Sequence, residues 1–180
     1  YYTPNIDDRE KSIFLKARLT LLACNNINEA TDAEKLIIVK GSMIANNKMK
    51  AVVLHSKGDA DQLKLEEVET PKINNDEVLV KLKAASVNHL DVWVRMGHFP
   101  VSYPIILGCE GAGDIAEVGK NVQDFKKGDK VVVLPSITCG QCEYCLAGND
   151  NLCKNAKRLG MTVNGCYAEY VKVPQQNLLL

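Results

Sequence analysis

Four cysteines crowded into residues 139–153 constrain this chain more than any other feature of its sequence. Cys139, Cys142, Cys145 and Cys153 follow one another at steps of three, three and eight positions. Three sulfurs at steps of three wrap one side of an ion, and a fourth, one small turn later, completes the tetrahedron that Zn²⁺ prefers. A closed four-sulfur site has no open coordination position, so the spacing predicts a structural zinc ion.

The residues between these cysteines support the same interpretation. They are mostly polar and include two glycines, so the segment has little core of its own and the backbone freedom that a tight loop needs. Metal ligation would then supply much of the local stability. We expect a zinc lobe over residues 137–158. An iron–sulfur cluster and a set of disulfides or free thiols are the alternatives.

Composition limits the compartment and the class of partner. The chain has seven cysteines, an odd number, and its first residues are polar and acidic, unlike a leader peptide. Both features favour a reducing compartment, and we expect the cytoplasm. Lys+Arg and Asp+Glu are both 22, and a neutral chain is not typical of nucleic-acid binding. No apolar run approaches the ~20 residues that span a bilayer, so we expect no membrane partner.

The sequence divides into two regions near residue 49. Residues 1–48 are rich in Asn, and the apolar spacing over residues 12–23 favours a helix. We interpret this part as an extension of unknown role that is mainly helical. Residues 49–180 contain short β-rich runs separated by Gly and Asp turns, which is typical of a barrel or sandwich. These runs are Met49–Leu54, Leu63–Val68, Glu77–Leu82, Gly113–Val118, Lys130–Leu134 and Tyr167–Val173.

One segment of the second region has the pattern of a short helix. It runs to Met96, with Asn88 as its N-terminal cap and Gly97 as its stop. The expected fold class is therefore mainly β with short helices.

A run of glycines around Cys109 supplies a resemblance to a known family. The matching residues are Gly108, Glu110, Gly113, Gly119 and Val122, and Cys109 stands at the remaining position of the pattern. Together with the cysteine cluster they resemble the zinc-containing alcohol dehydrogenases of the medium-chain dehydrogenase/reductase superfamily. That family has Gly-His-Glu, two residues, Gly, five residues, Gly, two residues and Val. Only the His differs, and further similar segments at residues 125–131 and 165–174 extend the resemblance over about residues 49–180.

The resemblance implies a GroES-like catalytic domain, a partly open β-barrel from which the four-cysteine zinc lobe projects. In the family a catalytic zinc is held by Cys, His and a later ligand, with the Glu after the His as an alternate ligand. Those positions are Asn88, Cys109 and Glu110 here, and the hydroxyl that begins the proton relay is replaced by Leu90. His89 stands where many relatives contact the cofactor phosphate or relay protons.

Two states of the catalytic centre therefore remain open. In one, Cys109 and Glu110 hold a second, catalytic zinc, which stabilises the charge that hydride transfer leaves on a carbonyl oxygen. In the other, the enzyme is similar to quinone oxidoreductase-like members that reduce conjugated carbonyls without catalytic zinc. The charge is then delocalised in an enolate, and hydrogen-bond donors such as Asn88 and His89 suffice. Asp91 completes the candidate catalytic set, as a cap or supporting acceptor rather than an acid or base.

A nicotinamide-dependent enzyme also needs a dinucleotide site, usually Gly-x-Gly-x-x-Gly between a strand and a helix. This chain contains no such triplet. We therefore expect a piece of a larger NAD- or NADP-dependent oxidoreductase that acts on a small alcohol or carbonyl compound and is inactive alone. A homo-oligomeric assembly is compatible with the resemblance. The alternatives are a zinc-stabilised enone or quinone reductase and a non-catalytic GroES-like zinc module.

Overall fold

The computed structural model describes residues 48–180, which fold into short antiparallel strands with two brief α-helices. The helical extension predicted for residues 1–48 lies, apart from Lys48, outside the described residues. The strands are β1 (Lys48–Leu54), β2 (Leu63–Glu69), β3 (Glu77–Ala85), β4 (Ile105–Ile106), β5 (Gly111–Val118), β6 (Lys130–Val133), β7 (Ser136–Ile137), β8 (Lys157–Arg158), β9 (Tyr170–Pro174) and β10 (Leu178–Leu179). The helices are α1 (His89–Met96) and α2 (Glu143–Leu146).

The strands form two main antiparallel sheets. One has five strands in the order β10-β6-β5-β3-β9, and the other has three in the order β2-β1-β4. A bridge between Ala51 of β1 and Ala168 joins the three-stranded sheet to the segment that leads into β9. This mainly β arrangement, curled into a half-barrel, confirms the predicted fold class.

The core follows from the two-residue period of the strands. In β6, Val131 and Val133 are buried, whereas Lys130 and Val132 face solvent. The same alternation elsewhere in the five-stranded sheet adds further aliphatic side chains to one cluster. That cluster contains Val78, Val80, Leu82, Ile115, Val131, Val133, Leu159, Cys166, Val171, Val173 and Leu178.

One signature glycine, Gly113, lies in β5 and serves the packing of the sheet. Gly113 pairs with Leu82 of β3, and a Cβ placed on Gly113 would lie 2.1 Å from the carbonyl oxygen of Lys81. Only glycine lets the two backbones approach so closely. The Gly-x-Gly pair here is thus part of a strand, in agreement with its assignment away from a nucleotide loop.

The predicted helix is confirmed with both of its ends. The backbone N–H of Asn88 donates to Asp91 Oδ2 at 2.8 Å, one half of a capping box at the first turn of α1. Gly97 ends the helix in the left-handed region, with φ of 83°. The helix start is therefore fixed rigidly beside the end of β3.

The strand predicted over residues 167–173 begins later, at Tyr170. The preceding residues belong to a different set of contacts, because the backbone N–H groups of Gly165, Cys166 and Tyr167 donate to the carbonyls of residues 106–108. These backbone hydrogen bonds join segments that are distant in the chain, so no local sequence pattern indicates them.

The cysteine segment leaves the sheet after β6 and returns through β8. β7 and β8 pair at its base, where Ser136 faces Arg158. Between them lie helix α2 and a 3₁₀ turn over Asp150–Leu152. Neither of the helices described in residues 48–180 is long and apolar enough to cross a membrane.

Candidate metal centre and candidate catalytic site

The four cysteines of the lobe come together as the spacing predicted. Their sulfurs all lie within 4.8 Å of one another, and three of the separations are 3.4 Å (Cys142–Cys145), 3.6 Å (Cys139–Cys153) and 4.0 Å (Cys139–Cys145). Zn–S bonds of about 2.3 Å in a tetrahedron place sulfurs about 3.8 Å apart. All four are free thiols rather than disulfides. The donor set and its spacing therefore fit a zinc ion.

Backbone groups in the lobe favour thiolates at part of the cluster. N–H groups of Gln141 and Cys142 stabilise the anion of Cys139 and lower its pKa, and the N–H of Cys145 does the same for Cys142. Desolvation, together with the contact to Cys142, instead raises the pKa of Cys145. Four clustered sulfurs cannot all carry negative charge without a cation, which a divalent metal supplies.

The base of the lobe is tied to the barrel by a side chain that sequence reasoning missed. Asn177 is buried, and its Nδ2 donates to the carbonyls of Ser136 at 2.7 Å and Leu134 at 3.1 Å. On the returning side, the N–H of Leu159 donates to the carbonyl of Pro135. The two ends of the cysteine segment are thus held against the barrel by hydrogen bonds that involve none of the four cysteines.

The second candidate site brings Asn88, Cys109 and Glu110 together. Asn88 Nδ2 lies 3.3 Å from Cys109 Sγ and 3.2 Å from Glu110 Oε2. The site joins residues more than 20 positions apart, because Asn88 follows β3 and Glu110 precedes β5, and these strands are neighbours. The sequence-predicted residues are therefore in contact, although their roles remain predictions.

Ser86 belongs to the same cluster and was not predicted. Its hydroxyl donates to Glu110 Oε2 at 2.7 Å and accepts from Asn88 Nδ2 at 3.0 Å. The signal for it was available, because residues two apart in an extended segment face the same side, and Ser86 is two positions before Asn88. The hydrogen bonds that Ser86 and Asn88 each donate to Glu110 Oε2 lower the pKa of Glu110.

Asp91 lies behind the cluster as a buried acceptor. Its carboxylate accepts from the N–H of Asn88 at 2.8 Å, the N–H of Gly108 at 3.1 Å and the hydroxyl of Tyr167 at 2.9 Å. Burial raises the pKa of Asp91, and the three hydrogen bonds oppose that shift. Asp91 thus joins the start of α1 to the loop that carries Cys109, as expected for a cap and supporting acceptor.

His89 and Trp93 form an aromatic pair beside the cluster. They lie one turn apart on α1, with ring centroids 4.6 Å apart in an edge-to-face arrangement. The side chain of Trp93 is 37% exposed, so its indole is not part of the core. This pair follows directly after Asn88 in the chain, and both the indole of Trp93 and the carboxylate of Glu110 are exposed.

The residues of this second site do not fit a zinc ion. The amide of Asn88 directs its N–H₂ group, which has no lone pair to donate, at the thiol and the carboxylate that a metal would need. Burial and the charges of Asp91 and Glu110 raise the pKa of Cys109 to about 11. Because the pKa of the lobe ligand Cys145 is raised as well, the misfit rests on the Asn88 amide and not on the protonation of this thiol. Within residues 48–180, the only close group of three or more Cys, His, Asp or Glu side chains is the four-cysteine cluster.

Comparisons with known proteins agree with this architecture. Residues 74–180 match the family model of the alcohol dehydrogenase GroES-like domain. The chain is 44% identical over 133 residues to the NAD-dependent alcohol dehydrogenase of Sulfolobus acidocaldarius, covering 70% of this chain and 38% of that one. It is 41% identical over 137 residues to sorbitol dehydrogenase of Bacillus subtilis, with 73% and 38% covered.

A solved structure shows the same similarity in three dimensions. The crystal structure of an NAD-dependent alcohol dehydrogenase superposes with a TM-score of 0.71 at 45% identity, over 73% of this chain and 39% of that one. The chain therefore spans well under half the length of the relatives it matches.

Proposed function

Because the chain belongs to the family of alcohol dehydrogenases with a GroES-like domain, we propose that it forms the substrate-binding part of an NAD(P)-dependent oxidoreductase that interconverts alcohols with aldehydes or ketones. The observation that carries the proposal is the convergence of Asn88, Ser86 and the exposed carboxylate of Glu110 beside the His89–Trp93 pair. The partners it implies are a small alcohol or carbonyl substrate and a nicotinamide cofactor, which would be bound by a part of the protein outside these residues.

In this proposal the lobe cysteines Cys139, Cys142, Cys145 and Cys153 hold one zinc ion. A bound zinc would join the loop at four points and neutralise its thiolates, which stabilises the lobe without taking part in the reaction. The role is structural because all four coordination positions are filled by the chain.

At the second site, the residues of the chain orient the substrate. Asn88 Nδ2 would turn one of its two hydrogens from its present acceptors to the carbonyl oxygen of the substrate, with the neighbouring His89 as the second candidate donor. The Glu110 carboxylate would accept the hydrogen bond of an alcohol hydroxyl. Ser86 holds that carboxylate in one orientation through its 2.7 Å hydrogen bond. Asp91 holds the backbone of Asn88 and the loop before Cys109, so both sides of the site keep their spacing.

One observation favours a second candidate reaction, the reduction of conjugated carbonyl compounds. Hydride addition to an isolated carbonyl concentrates charge on one oxygen, whereas addition to an enone spreads it over an enolate. Hydrogen-bond donors suffice in the second case, and the Asn88 amide is such a donor. A site with an amide in place of a metal ligand is therefore suited to enones.

The proposal is tested with a chimera in which this chain replaces the equivalent part of the Sulfolobus acidocaldarius relative. Turnover is followed by NADH or NADPH absorbance with secondary alcohols, ketones and cyclic enones as substrates, and the intact relative is the positive control. Oxidation of alcohols supports the first reaction, and turnover of enones alone supports the second. A folded, zinc-loaded chimera without turnover of any substrate would contradict both and favour a non-catalytic zinc module.

A further inference from the structure

The amide nitrogen of Asn88 is the centre of a small cluster of acceptors. Ser86 Oγ lies at 3.0 Å, Glu110 Oε2 at 3.2 Å and Cys109 Sγ at 3.3 Å from Nδ2. An amide N–H₂ group has two hydrogens, so three acceptors share them. Hydroxyl, carboxylate and thiol groups surround bound metal ions in the same way. Here the group at the centre is the amide of Asn88.

The orientation of the amide is determined by its neighbours. If the amide were turned over, Oδ1 would face the oxygen of the Glu110 carboxylate at a similar distance with no hydrogen between them. The Glu110 oxygen also accepts from Ser86 at 2.7 Å, so both of its lone pairs are used. Neither the amide nor this carboxylate oxygen is therefore available as a metal ligand in the folded chain.

We propose that the Asn88 amide takes the place of a metal ion at this centre, so that residues 48–180 bind one zinc ion, at the four lobe cysteines, and the Asn88–Cys109–Glu110 centre stays metal-free. The proposal deepens the proposed function, on which it rests for the role of the site, by assigning its metal content. It also implies that replacing Asn88 by a metal-binding side chain creates a metal centre, because the thiol of Cys109 and the carboxylate of Glu110 lie next to it.

The test is the metal content of the 180-residue chain, which needs no hydride transfer. Each variant is loaded with Zn²⁺ alone, passed through a desalting column and measured by elemental analysis. Titration with Co²⁺ then reports each site by its thiolate and ligand-field absorption. The wild-type chain and Cys109→Ser are expected to hold one ion per chain, and Cys153→Ser is expected to lose it.

Variants that should gain a metal site give the more stringent test. Asn88→Cys is expected to hold a second ion, with a Co²⁺ spectrum distinct from that of the lobe, and to lose it again when combined with Cys109→Ser. Asn88→Ala, which removes the amide without adding a ligand, is the matched control and should hold one ion. Asn88→Asp, close in shape to the amide, repeats the measurement if the cysteine variant does not fold.

Two results would overturn the proposal. The first is a second ion in the wild-type chain that is lost in Cys109→Ser or Glu110→Gln and retained in Cys153→Ser. The second is a metal content of one ion in Asn88→Cys and Asn88→Asp when both are folded, since the amide would then not be what keeps metal out. Failure of the chimera to turn over substrate changes neither metal count, so the two proposals fail separately.

Discussion

The hydroxyl of Tyr167 donates a hydrogen bond of 2.9 Å to the carboxylate of Asp91, although 76 positions separate the two residues in the chain. Asp91 is buried and Tyr167 is partly buried, and the same carboxylate caps α1 and holds the N–H of Gly108. The carboxylate of Asp91 thus holds the helix that begins after Asn88 against the loop that carries Cys109, and the hydrogen bond from Tyr167 supports that carboxylate. The candidate catalytic site depends on this support.

Replacement of Tyr167 by Phe tests that support. The exchange removes one hydroxyl and leaves a buried carboxylate with one donor fewer, so we expect the free energy of unfolding to fall by about 1–3 kcal/mol. Urea unfolding measures the change. Tyr103→Phe, at a ring that is 36% exposed, is the control and should change little. Equal stabilities for the two variants would show that the buried hydrogen bond contributes nothing.

Close approach of two strands at Gly113 predicts a severe effect of a single methyl group. A Cβ there would lie 2.1 Å from the Lys81 carbonyl oxygen, which is backbone and cannot move aside. We expect Gly113→Ala to lower the free energy of unfolding by about 3 kcal/mol or more, as for overpacked cores.

Gly128→Ala is the matched control for this exchange. Gly128 has a φ of +93° but nothing within 4 Å of its Cβ position, so only backbone strain of about 1–2 kcal/mol is expected. Chemical denaturation of the two variants should separate them clearly. A Gly113→Ala protein as stable as Gly128→Ala would mean that the sheet relaxes easily at this point.

Loss of one lobe cysteine should release zinc and weaken the lobe. Cys153→Ser removes a ligand whose sulfur lies 3.6 Å from that of Cys139, and a three-sulfur site no longer encloses the ion. We expect the zinc content and the thermal unfolding midpoint to fall together, as they should when a chelator is added to the wild-type chain. Unchanged metal content and midpoint in Cys153→Ser would disprove the structural-zinc assignment.

The buried thiol of Cys166 predicts a loss of stability in alkali. Burial, followed by the charges of Cys109, Asp91 and Glu110, raises its pKa from 9.0 to about 12. Between those values the unfolded chain has lost the proton and the native chain keeps it, so this contribution to stability is complete below pH 9 and decreases as the pH rises towards 12.

Unfolding experiments at pH 8 and pH 10 measure that contribution. At pH 10 the wild-type chain should have lost about 1.4 kcal/mol more than a variant without the thiol, the equivalent of one pKa unit. Cys166→Ala and Cys166→Ser differ in packing but neither titrates, so both should show the same shallower dependence on pH. A dependence as steep as that of the wild-type chain would show that another group is responsible.

The features that sequence reasoning predicted correctly are those whose partners are close in the chain. The four cysteines lie within 15 residues, and their spacing alone brought the sulfurs within reach of one ion. Helix α1 was predicted with its cap at Asn88 and its stop at Gly97, because both signals are local. The strands were located by the alternation of side chains, although their pairing was not.

The features that sequence reasoning missed depend on distant partners. Ser86 gains its role only because β3 and β5 are neighbours, which brings Glu110 to its hydroxyl. Tyr167 was read as part of a strand, and nothing near it in sequence indicates the carboxylate that it contacts. Asn177 likewise is an ordinary polar residue until it is buried against the base of the lobe.

The sequence by itself determined the ligands of the candidate metal centre, the helix with its two ends, the family resemblance and the unusual residues at positions 88 and 109. These depend on residue type and short spacing, which a chain carries whether folded or not. The tertiary structure decided which way the Asn88 amide points, because that orientation is set by the carboxylate of Glu110 and the hydroxyl of Ser86. A hydrogen bond between distant residues forms only when the sheet brings them together, and here it turns a donor rather than a lone pair towards Cys109 and Glu110.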